Sequence, residues 1–132
     1  FINNYGEIKM YMISVEDSFS SAHSLRGYEG KCENLHGHNW KVRVTLKGEK
    51  LNNIGILIDF KNVKKILKDI LLVLDHKFLN EITPFDKINP SAENIAFFIY
   101  GELKKKLEEN IKIDRVEIWE SEKAFATYYE GE

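Results

Sequence analysis

The chain has 132 residues, a formal charge of −2 and a sequence pI near 6.1. Its 43% apolar and 30% charged residues are typical of a globular domain and exclude a disordered chain. The near-neutral charge excludes a generally basic nucleic-acid binder, and no apolar run approaches the roughly 20 residues that a transmembrane helix needs. We therefore expect one domain over residues 1–132, with residues 1–9 as an extended or disordered N-terminus and no nucleic-acid or membrane partner.

Residue patterns predict two strands early in the chain. Ile8–Glu16 is rich in β-branched and aromatic types, and Asn39–Lys47 alternates apolar and polar side chains with the period of a half-buried strand. A polar loop, Ser24–Asn34, separates them. Leu57–Phe60 is predicted as a further short extended piece after a turn.

Helical spacing follows in the second half. Apolar residues in Phe60–Leu74 recur at intervals of three and four, which predicts an amphipathic helix. A second helix is predicted to begin after Pro90, with Ser91 as its N-cap, and to continue to Asn110. The order β-β-α-α-β-β favours an α+β fold with two helices on one face of an antiparallel sheet. Its last two strands are predicted at Ile113–Trp119 and Phe125–Tyr129.

Three histidines are candidate metal ligands. His36 and His38 are two residues apart at the start of the second strand, so their side chains point to the same face. His23 lies at the end of the first strand, and pairing of the two strands would bring three imidazoles together, as in zinc sites with one open position. An H-x-H pair by itself is also compatible with two surface histidines in a loop.

Cys32 is the one cysteine in the sequence and lies four residues before His36. A lone cysteine excludes an internal disulfide and indicates a reduced, intracellular protein, which we expect to be cytoplasmic. Beside a cation its thiolate would be a base or a nucleophile. The alternatives are a fourth ligand of a closed structural zinc site and an inert small apolar residue, and the spacing does not decide between them.

Two further positions carry groups that can move protons or bind a ligand. Asp75 and His76 can bond each other near a turn and orient a third group, although a histidine at a helix C-terminus fits the same sequence. Glu120 would share the apolar face of its strand with Val116 and Ile118, where a carboxylate needs a partner such as a planar donor pair on a ligand. The alternative is a strand-end glutamate that faces water.

From Met12 onward these motifs resemble the 6-pyruvoyl-tetrahydropterin synthase / 6-carboxytetrahydropterin synthase (QueD) family. One such block would be weak support, whereas six in the family's order are strong. The blocks are Phe19-Ser20-Ser21-Ala22-His23, Cys32-x-x-x-His36-Gly37-His38, Ile58-Asp59-Phe60, Leu74-Asp75-His76-Lys77-Phe78-Leu79-Asn80, Pro90-Ser91-Ala92-Glu93-Asn94 and Trp119-Glu120-Ser121.

The resemblance implies a T-fold whose sheets assemble into barrels. Family members are commonly hexamers, built as dimers of trimers, with active sites at subunit interfaces. It also implies zinc as the cofactor and a pterin triphosphate as the substrate, with Asp75 and His76 supplied by a neighbouring subunit. The implied roles are zinc ligation by His23, His36 and His38, catalysis by Cys32 assisted by Asp75 and His76, and pterin anchoring by Glu120.

The spacing around Cys32 bears on the product. Its gap of three residues to His36 resembles the QueD type, which converts 7,8-dihydroneopterin triphosphate into 6-carboxy-5,6,7,8-tetrahydropterin for queuosine synthesis and releases acetaldehyde and triphosphate. Glu33 departs from that pattern and resembles a subclass in which a glutamate supports cleavage to 6-hydroxymethyl-7,8-dihydropterin, a folate precursor. The alternatives are an enzyme that does both, a 6-pyruvoyl-tetrahydropterin synthase, an exposed loop carboxylate at Glu33 without a catalytic role, and a non-catalytic zinc-binding module. Candidate triphosphate-binding residues, which the sequence does not rank, are Arg26, Lys31 and Lys77.

Overall fold

The computed structural model describes residues 5–6, 9–30 and 33–131. Five strands and two helices confirm the predicted α+β class. The expectation for residues 1–9 falls mainly outside the described residues, and so does Cys32. In chain order the elements are β1 (Tyr11–His23), β2 (His36–Gly48), α1 (Phe60–Leu72), β3 (Lys77–Phe78), a 3-10 turn (Leu79–Glu81), α2 (Ala92–Lys106), β4 (Lys112–Ser121) and β5 (Ala124–Tyr128).

The strands form one sheet in the order β3-β1-β2-β4-β5. The four longer strands are antiparallel to their neighbours, whereas the two-residue β3 runs parallel to β1. β1 and β2 form a long hairpin in which Tyr11 pairs with Gly48 and His23 pairs with His36. This register places two of the predicted metal ligands opposite each other at one end of the hairpin.

Both helices cover one face of this sheet. Asp59 caps α1 by accepting from the Lys61 N–H, and Ser91 caps α2 by accepting from the Asn94 N–H, as predicted for Ser91. Apolar side chains from the helices and from alternate strand positions fill the space between them, and burial of each contributes about 1.5–3 kcal/mol. The largest of these fully buried side chains include Trp40, Leu46, Leu67, Ile95, Ile99, Leu103 and Ile118.

The other face of the sheet carries a row of charged side chains. Glu16, Arg43 and Glu117 lie opposite one another on three neighbouring strands. Arg43 Nε donates to Glu16 at 2.6 Å, and this hydrogen bond is the main cause that holds the pKa of Glu16 below its ordinary value. Arg43 also lies 3.8 Å from Glu117, so opposite charges neighbour one another across this face.

Some predicted strand boundaries are wrong. The β-branched and aromatic pattern ends at Glu16, but the first strand continues through a serine-rich stretch that pairs with β2. The expected position of His23 at the end of this strand is confirmed. Leu57–Phe60 is not a strand, since Asp59 is the N-cap of α1 and Phe60 is its first residue. The two-residue β3 is too short to produce any periodicity and was not predicted.

The predicted helix ends also run too far. α1 ends at Leu72 instead of Leu74, and α2 ends at Lys106 instead of Asn110. The backbone of Leu107 is extended, with φ −95° and ψ 149°, although its apolar side chain continues the helical spacing. Among the described residues, neither helix has the length and apolar character that a membrane crossing requires.

Candidate metal centre

The β1–β2 hairpin brings three histidines together with Glu120. One ligand atom from each of these four residues lies within 4.8 Å of all the others. His23 pairs with His36 across the hairpin, His38 follows two residues along β2, and Glu120 belongs to the last part of β4. The Nε2 atoms of His23 and His36 are 3.0 Å apart, and Glu120 Oε1 lies 3.0 Å from His38 Nε2. This group could bind a metal ion.

Backbone carbonyls determine which nitrogen carries the proton in two of the rings. His23 Nδ1 lies 2.7 Å from the carbonyl oxygen of Pro90, and His36 Nδ1 lies 2.8 Å from that of Asn34. A carbonyl oxygen can only accept, so each Nδ1 donates, and in the neutral rings each Nε2 presents a lone pair. Two lone pairs 3.0 Å apart repel each other, whereas both would bind a cation placed between them.

The third ring contains a buried nitrogen without a hydrogen bond. Among the described residues, His38 Nε2 has no hydrogen-bond partner, since its 3.0 Å approach to Glu120 does not have hydrogen-bond geometry. Burial is the main cause that lowers the pKa of His38 below its ordinary value, against the opposing charge of Glu120. The ring is therefore neutral near pH 7, which is the form that binds metals. Buried polar atoms normally have a partner, and a metal ion would supply one.

Trp40 packs against two of the three histidine rings. Its fully buried ring meets the rings of His23 and His38 edge-on, with centroid distances of 4.9 and 5.2 Å. The indole N–H donates to the carbonyl oxygen of Ser21 at 3.3 Å, and Phe19 stacks on the indole at 5.9 Å. Packing therefore holds the two histidine rings in place.

Asp75 and His76 form a pair at the edge of β1. His76 Nδ1 lies 2.9 Å from Asp75 Oδ2, and Asp75 Oδ1 accepts from the Ser20 N–H at 2.9 Å. The bond from Ser20 is the main cause that holds the pKa of Asp75 below its ordinary value, and the bond from His76 acts in the same direction. The His76 side chain is 81% exposed. Within the described part of the chain, no hydrogen bond or ion pair joins this pair to the three histidines.

Glu33 lies on the Nδ1 side of His36, away from the nitrogen that faces the cluster. Its Oε1 is 3.7 Å from His36 Nδ1 and accepts from the Leu25 N–H at 3.2 Å. The N–H of Glu33 donates to the Leu25 carbonyl at 2.9 Å. Because Cys32 lies outside the described residues, its role as a base stays a prediction.

Arg26 is bonded to the protein's own backbone. Its guanidinium donates to three carbonyls between residues 80 and 88, at 2.7 to 3.3 Å. The side-chain amides of Asn80 and Asn89 each exchange two hydrogen bonds with the backbone of the same loop, at Ser24 and Arg26. Three of the five guanidinium N–H donors therefore stabilise the loop.

A shallow cavity of about 290 Å³ adjoins the cluster, and a Cβ at Gly37 within its lining would lie 3.9 Å from the nearest backbone oxygen. The chain's own packing thus does not require a glycine there. Larger cavities of about 540 and 450 Å³ lie at the opposite end of the sheet, and no histidine lines them. The histidine cluster marks the candidate site because function depends on convergent polar groups more than on cavity size. The smaller cavity is lined by Ser20, Ser21, Gly37, His38 and Asn39.

Sequence reasoning missed Glu120 as a potential metal ligand. Strand parity correctly places it on the face of Val116 and Ile118, which are fully buried. Trp119 pairs with Lys41 on β2, so Glu120, the next residue of β4, lies beside the part of β2 that carries His38. Parity together with the β2–β4 pairing would have identified the contact with His38, but the sequence does not reveal that register.

A family model described as 6-pyruvoyl tetrahydropterin synthase matches residues 12–131. A 6-carboxy-5,6,7,8-tetrahydropterin synthase of Haemophilus influenzae is 36% identical over 143 residues, with 92% of this chain and 100% of the relative covered. A dihydroneopterin monophosphate aldolase of Pyrococcus furiosus is 36% identical over 103 residues, with 78% and 83% covered. Among solved structures, the 6-pyruvoyl tetrahydropterin synthase of Caenorhabditis elegans has a TM-score of 0.81 at 29% identity, with 94% of this chain and 98% of that chain covered. The similarity thus includes the sheet and both helices.

Proposed function

This chain belongs to the 6-pyruvoyl tetrahydropterin synthase family, and we propose that it is a zinc-dependent lyase acting on 7,8-dihydroneopterin triphosphate. Its enzyme class is that of the 6-carboxytetrahydropterin and 6-pyruvoyl-tetrahydropterin synthases. The proposed product is 6-carboxy-5,6,7,8-tetrahydropterin for queuosine synthesis, released with acetaldehyde and triphosphate. The Haemophilus relative, which carries the name of that activity and matches along its whole length, supports this product.

The arrangement of donor atoms carries the zinc proposal. With Zn–N distances of about 2.0–2.1 Å, the ligand atoms of a tetrahedral site lie about 3.4 Å apart. The observed separations include 3.0 Å between His23 and His36, and 3.0 and 3.7 Å from Glu120 to His38 and His23, so they fall on both sides of that value. Three imidazoles are ligands that zinc accepts, and with Glu120 kept for the pterin the fourth position of the tetrahedron is left for the substrate. When bound, zinc would act as a Lewis acid toward the side-chain hydroxyls of the substrate.

We propose that the remaining groups hold the pterin and move protons. The Glu120 side chain is 38% exposed and has two oxygens, which can accept from neighbouring N–H groups of a pterin ring. Cys32 is the proposed base, because a cation nearby would favour its thiolate. Asp75 accepts from His76 Nδ1, which leaves His76 Nε2 free to accept or return a proton.

We also propose that the active form is an oligomer, a hexamer built as a dimer of trimers. On the side of β1 that faces away from β2, residues Tyr11–Ser20 pair with no described strand, because β3 pairs only with Ser21 and Ala22. The opposite edge of the sheet, β5, is also open. Two different open edges favour head-to-tail pairing of copies into a closed ring, which would remove both edges. The outward-facing His76 would then be available to a neighbouring subunit.

A second candidate product is 6-hydroxymethyl-7,8-dihydropterin, a folate precursor. The aldolase relative of Pyrococcus furiosus, at 36% identity, favours this possibility. Glu33 would then be an additional base, and this role stays a prediction.

Product identification tests the proposed function. Purified, zinc-loaded protein is incubated with 7,8-dihydroneopterin triphosphate and the products are identified by mass spectrometry. Carboxytetrahydropterin with acetaldehyde would support the leading proposal, hydroxymethyl-dihydropterin the second, and pyruvoyl-tetrahydropterin the biopterin type of reaction. The variant Cys32→Ala should lose about 10²- to 10⁴-fold in turnover, as expected for removal of a general base, while it keeps its zinc. Loss of zinc together with unfolding would instead indicate a structural zinc site.

A further inference from the structure

We propose that Trp119 is a positioning residue that aims the Glu120 carboxylate at the proposed pterin site from the opposite face of the sheet. This role rests on the proposed function, in which Glu120 anchors the pterin. Successive side chains of a strand point to opposite faces, so the indole of Trp119 lies on the face of its strand partner Lys41, away from the histidine cluster. It therefore acts on Glu120 through the backbone and does not touch the substrate.

Glu120 lies in a bulge of β4. Trp119 pairs with Phe125 and Ser121 pairs with Ala124, and these two partners are consecutive on β5, so Glu120 has no partner on that strand. The pairing of β4 with β2 reaches Trp119 and does not include Glu120. A bulge bends its strand and changes the direction of the extra side chain. The direction of Glu120 therefore depends on how firmly the residues beside it are held.

Trp119 is held by side chains from both neighbouring strands. On the β2 side, Lys41 Nζ lies 4.4 Å and Arg43 Cζ lies 4.9 Å from the centre of the indole ring. On the β5 side, Phe125 stacks on the indole at 4.5 Å, with 23° between the ring planes. Glu16 in turn lies within 3.9 Å of Lys41 and 2.6 Å of Arg43. Cation–π and stacking contacts thus form a clamp on Trp119 that spans β2, β4 and β5.

The Glu120 carboxylate has little else to fix its direction. Its side chain is 38% exposed, and within the described part of the chain no hydrogen bond to it is present. Its nearest charged or ring partners are His38, His23 and His36, at 3.0, 3.7 and 4.0 Å. A clamp on the preceding residue reduces the ordering that pterin binding must otherwise supply, which favours a lower KM.

Three single variants distinguish positioning from a general effect on stability. Trp119→Thr keeps a strand-forming residue and removes the ring, whereas Trp119→Phe keeps an aromatic ring in the clamp. The matched control is Tyr128→Thr, which removes a ring from the other end of the β4–β5 hairpin, where Tyr128 contacts two other aromatic rings. Trp119→Thr is also combined with Glu120→Gln. KM and kcat for 7,8-dihydroneopterin triphosphate and the zinc affinity are measured for each protein.

We expect Trp119→Thr to raise KM about 5- to 50-fold, the factor equivalent to one aromatic pair and one cation–π contact, with a smaller change in kcat and none in zinc affinity. Trp119→Phe and Tyr128→Thr should match the wild type in KM. Because Trp119 acts through Glu120, Trp119→Thr should add little to the KM of the Glu120→Gln protein.

Four results would overturn this role. They are an unchanged KM in Trp119→Thr, an equal rise in Trp119→Phe or Tyr128→Thr, effects of Trp119→Thr and Glu120→Gln that multiply in the double variant, and weaker zinc binding by Trp119→Thr. The last would mean that the clamp acts on the histidines instead of on Glu120.

A structural measurement decides the role even if the protein does not turn over this substrate. Nuclear Overhauser effects between the Glu120 γ protons and the His38 ring protons are recorded in the metal-free proteins, because the Glu120 carboxylate lies 3.0 Å from His38 Nε2. They should be present in the wild type and in Trp119→Phe, and weaker in Trp119→Thr. This pattern without turnover would refute the proposed function alone, whereas effects of equal strength in Trp119→Thr would refute the positioning role.

Discussion

Replacing His23 and His38 by alanine, one at a time, should affect the stability of the metal-free protein differently and should weaken the stabilisation by zinc in the same way. The His23 side chain is 1% exposed, and its Nδ1 donates to the Pro90 carbonyl at 2.7 Å. The buried Nε2 of His38 has no hydrogen bond among the described residues. Only the first substitution therefore breaks a hydrogen bond of the metal-free protein at these atoms.

The expected magnitudes follow from these contacts. His23→Ala leaves the Pro90 carbonyl without its partner, which costs about 1–3 kcal/mol in free energy of unfolding before any cavity is counted. His38→Ala loses its contact with Trp40 but also removes a buried unsatisfied atom, whose burial costs about 1–3 kcal/mol, so the two effects offset each other. At about 4 °C per kcal/mol for a chain of this size, His23→Ala should melt at least about 4–12 °C lower, and His38→Ala close to the wild type.

The assay is thermal unfolding of chelator-treated and zinc-saturated samples, monitored by circular dichroism. Zinc at about 1,000 times its Kd should stabilise the wild type by about 4 kcal/mol, and both variants should lose most of that increase because each lacks a ligand. The conclusion that His38 Nε2 is buried without a partner is refuted if metal-free His38→Ala is destabilised as much as His23→Ala. The metal centre is refuted if zinc stabilises both variants as strongly as the wild type.

Three further predictions concern other parts of the structure. The unfolded state binds more protons than the folded state between the ordinary pKa of Glu16, 4.5, and its lowered folded value, so stability should fall as the pH drops through that window. Acid titration of Glu16→Gln should show a shallower fall, and identical curves would contradict the effect of Arg43. Arg26→Ala should lose about 1.5–3 kcal/mol in urea unfolding, because three backbone carbonyls lose a charged donor, and an unchanged midpoint would be inconsistent with the observed bonds. Glu120→Gln should raise KM for the pterin about 10- to 100-fold, as for loss of a charge-assisted hydrogen bond, and an unchanged KM would exclude Glu120 as the anchor.

The fold was predictable where local chemistry and tertiary structure agree. The alternation of apolar and polar residues in Asn39–Lys47 predicts a half-buried strand, and Ser91 predicts a helix start, because each signal is local. His23 was correctly expected at the end of β1, but the residue pattern does not show the strand between Glu16 and His23, since Ser18, Ser20 and Ser21 carry no apolar alternation and are strand residues through their pairing with β2. Likewise, the end of α2 before Leu107 depends on how the chain turns into β4, and the apolar spacing does not contain that information.

The sequence predicts the histidines of the site but not the backbone contacts that orient their rings. Strand parity placed His36 and His38 on one face, and the structure brings them together with His23. The carbonyls of Pro90 and Asn34, which determine the tautomers, belong to the backbone and leave no mark in the side-chain pattern. Arg26 has the charge expected of a phosphate ligand, and only the folded loop reveals that three of its N–H donors bond backbone carbonyls.

The most direct measurement is the turnover of 7,8-dihydroneopterin triphosphate by the wild-type protein before metal removal, after it, and after zinc is restored. We expect carboxytetrahydropterin and acetaldehyde in equal amounts from the starting protein, no product after chelation, and recovery when zinc is added back. Turnover that survives complete metal removal, or no turnover of this substrate by the zinc-loaded protein, would contradict the proposed role of the histidine cluster.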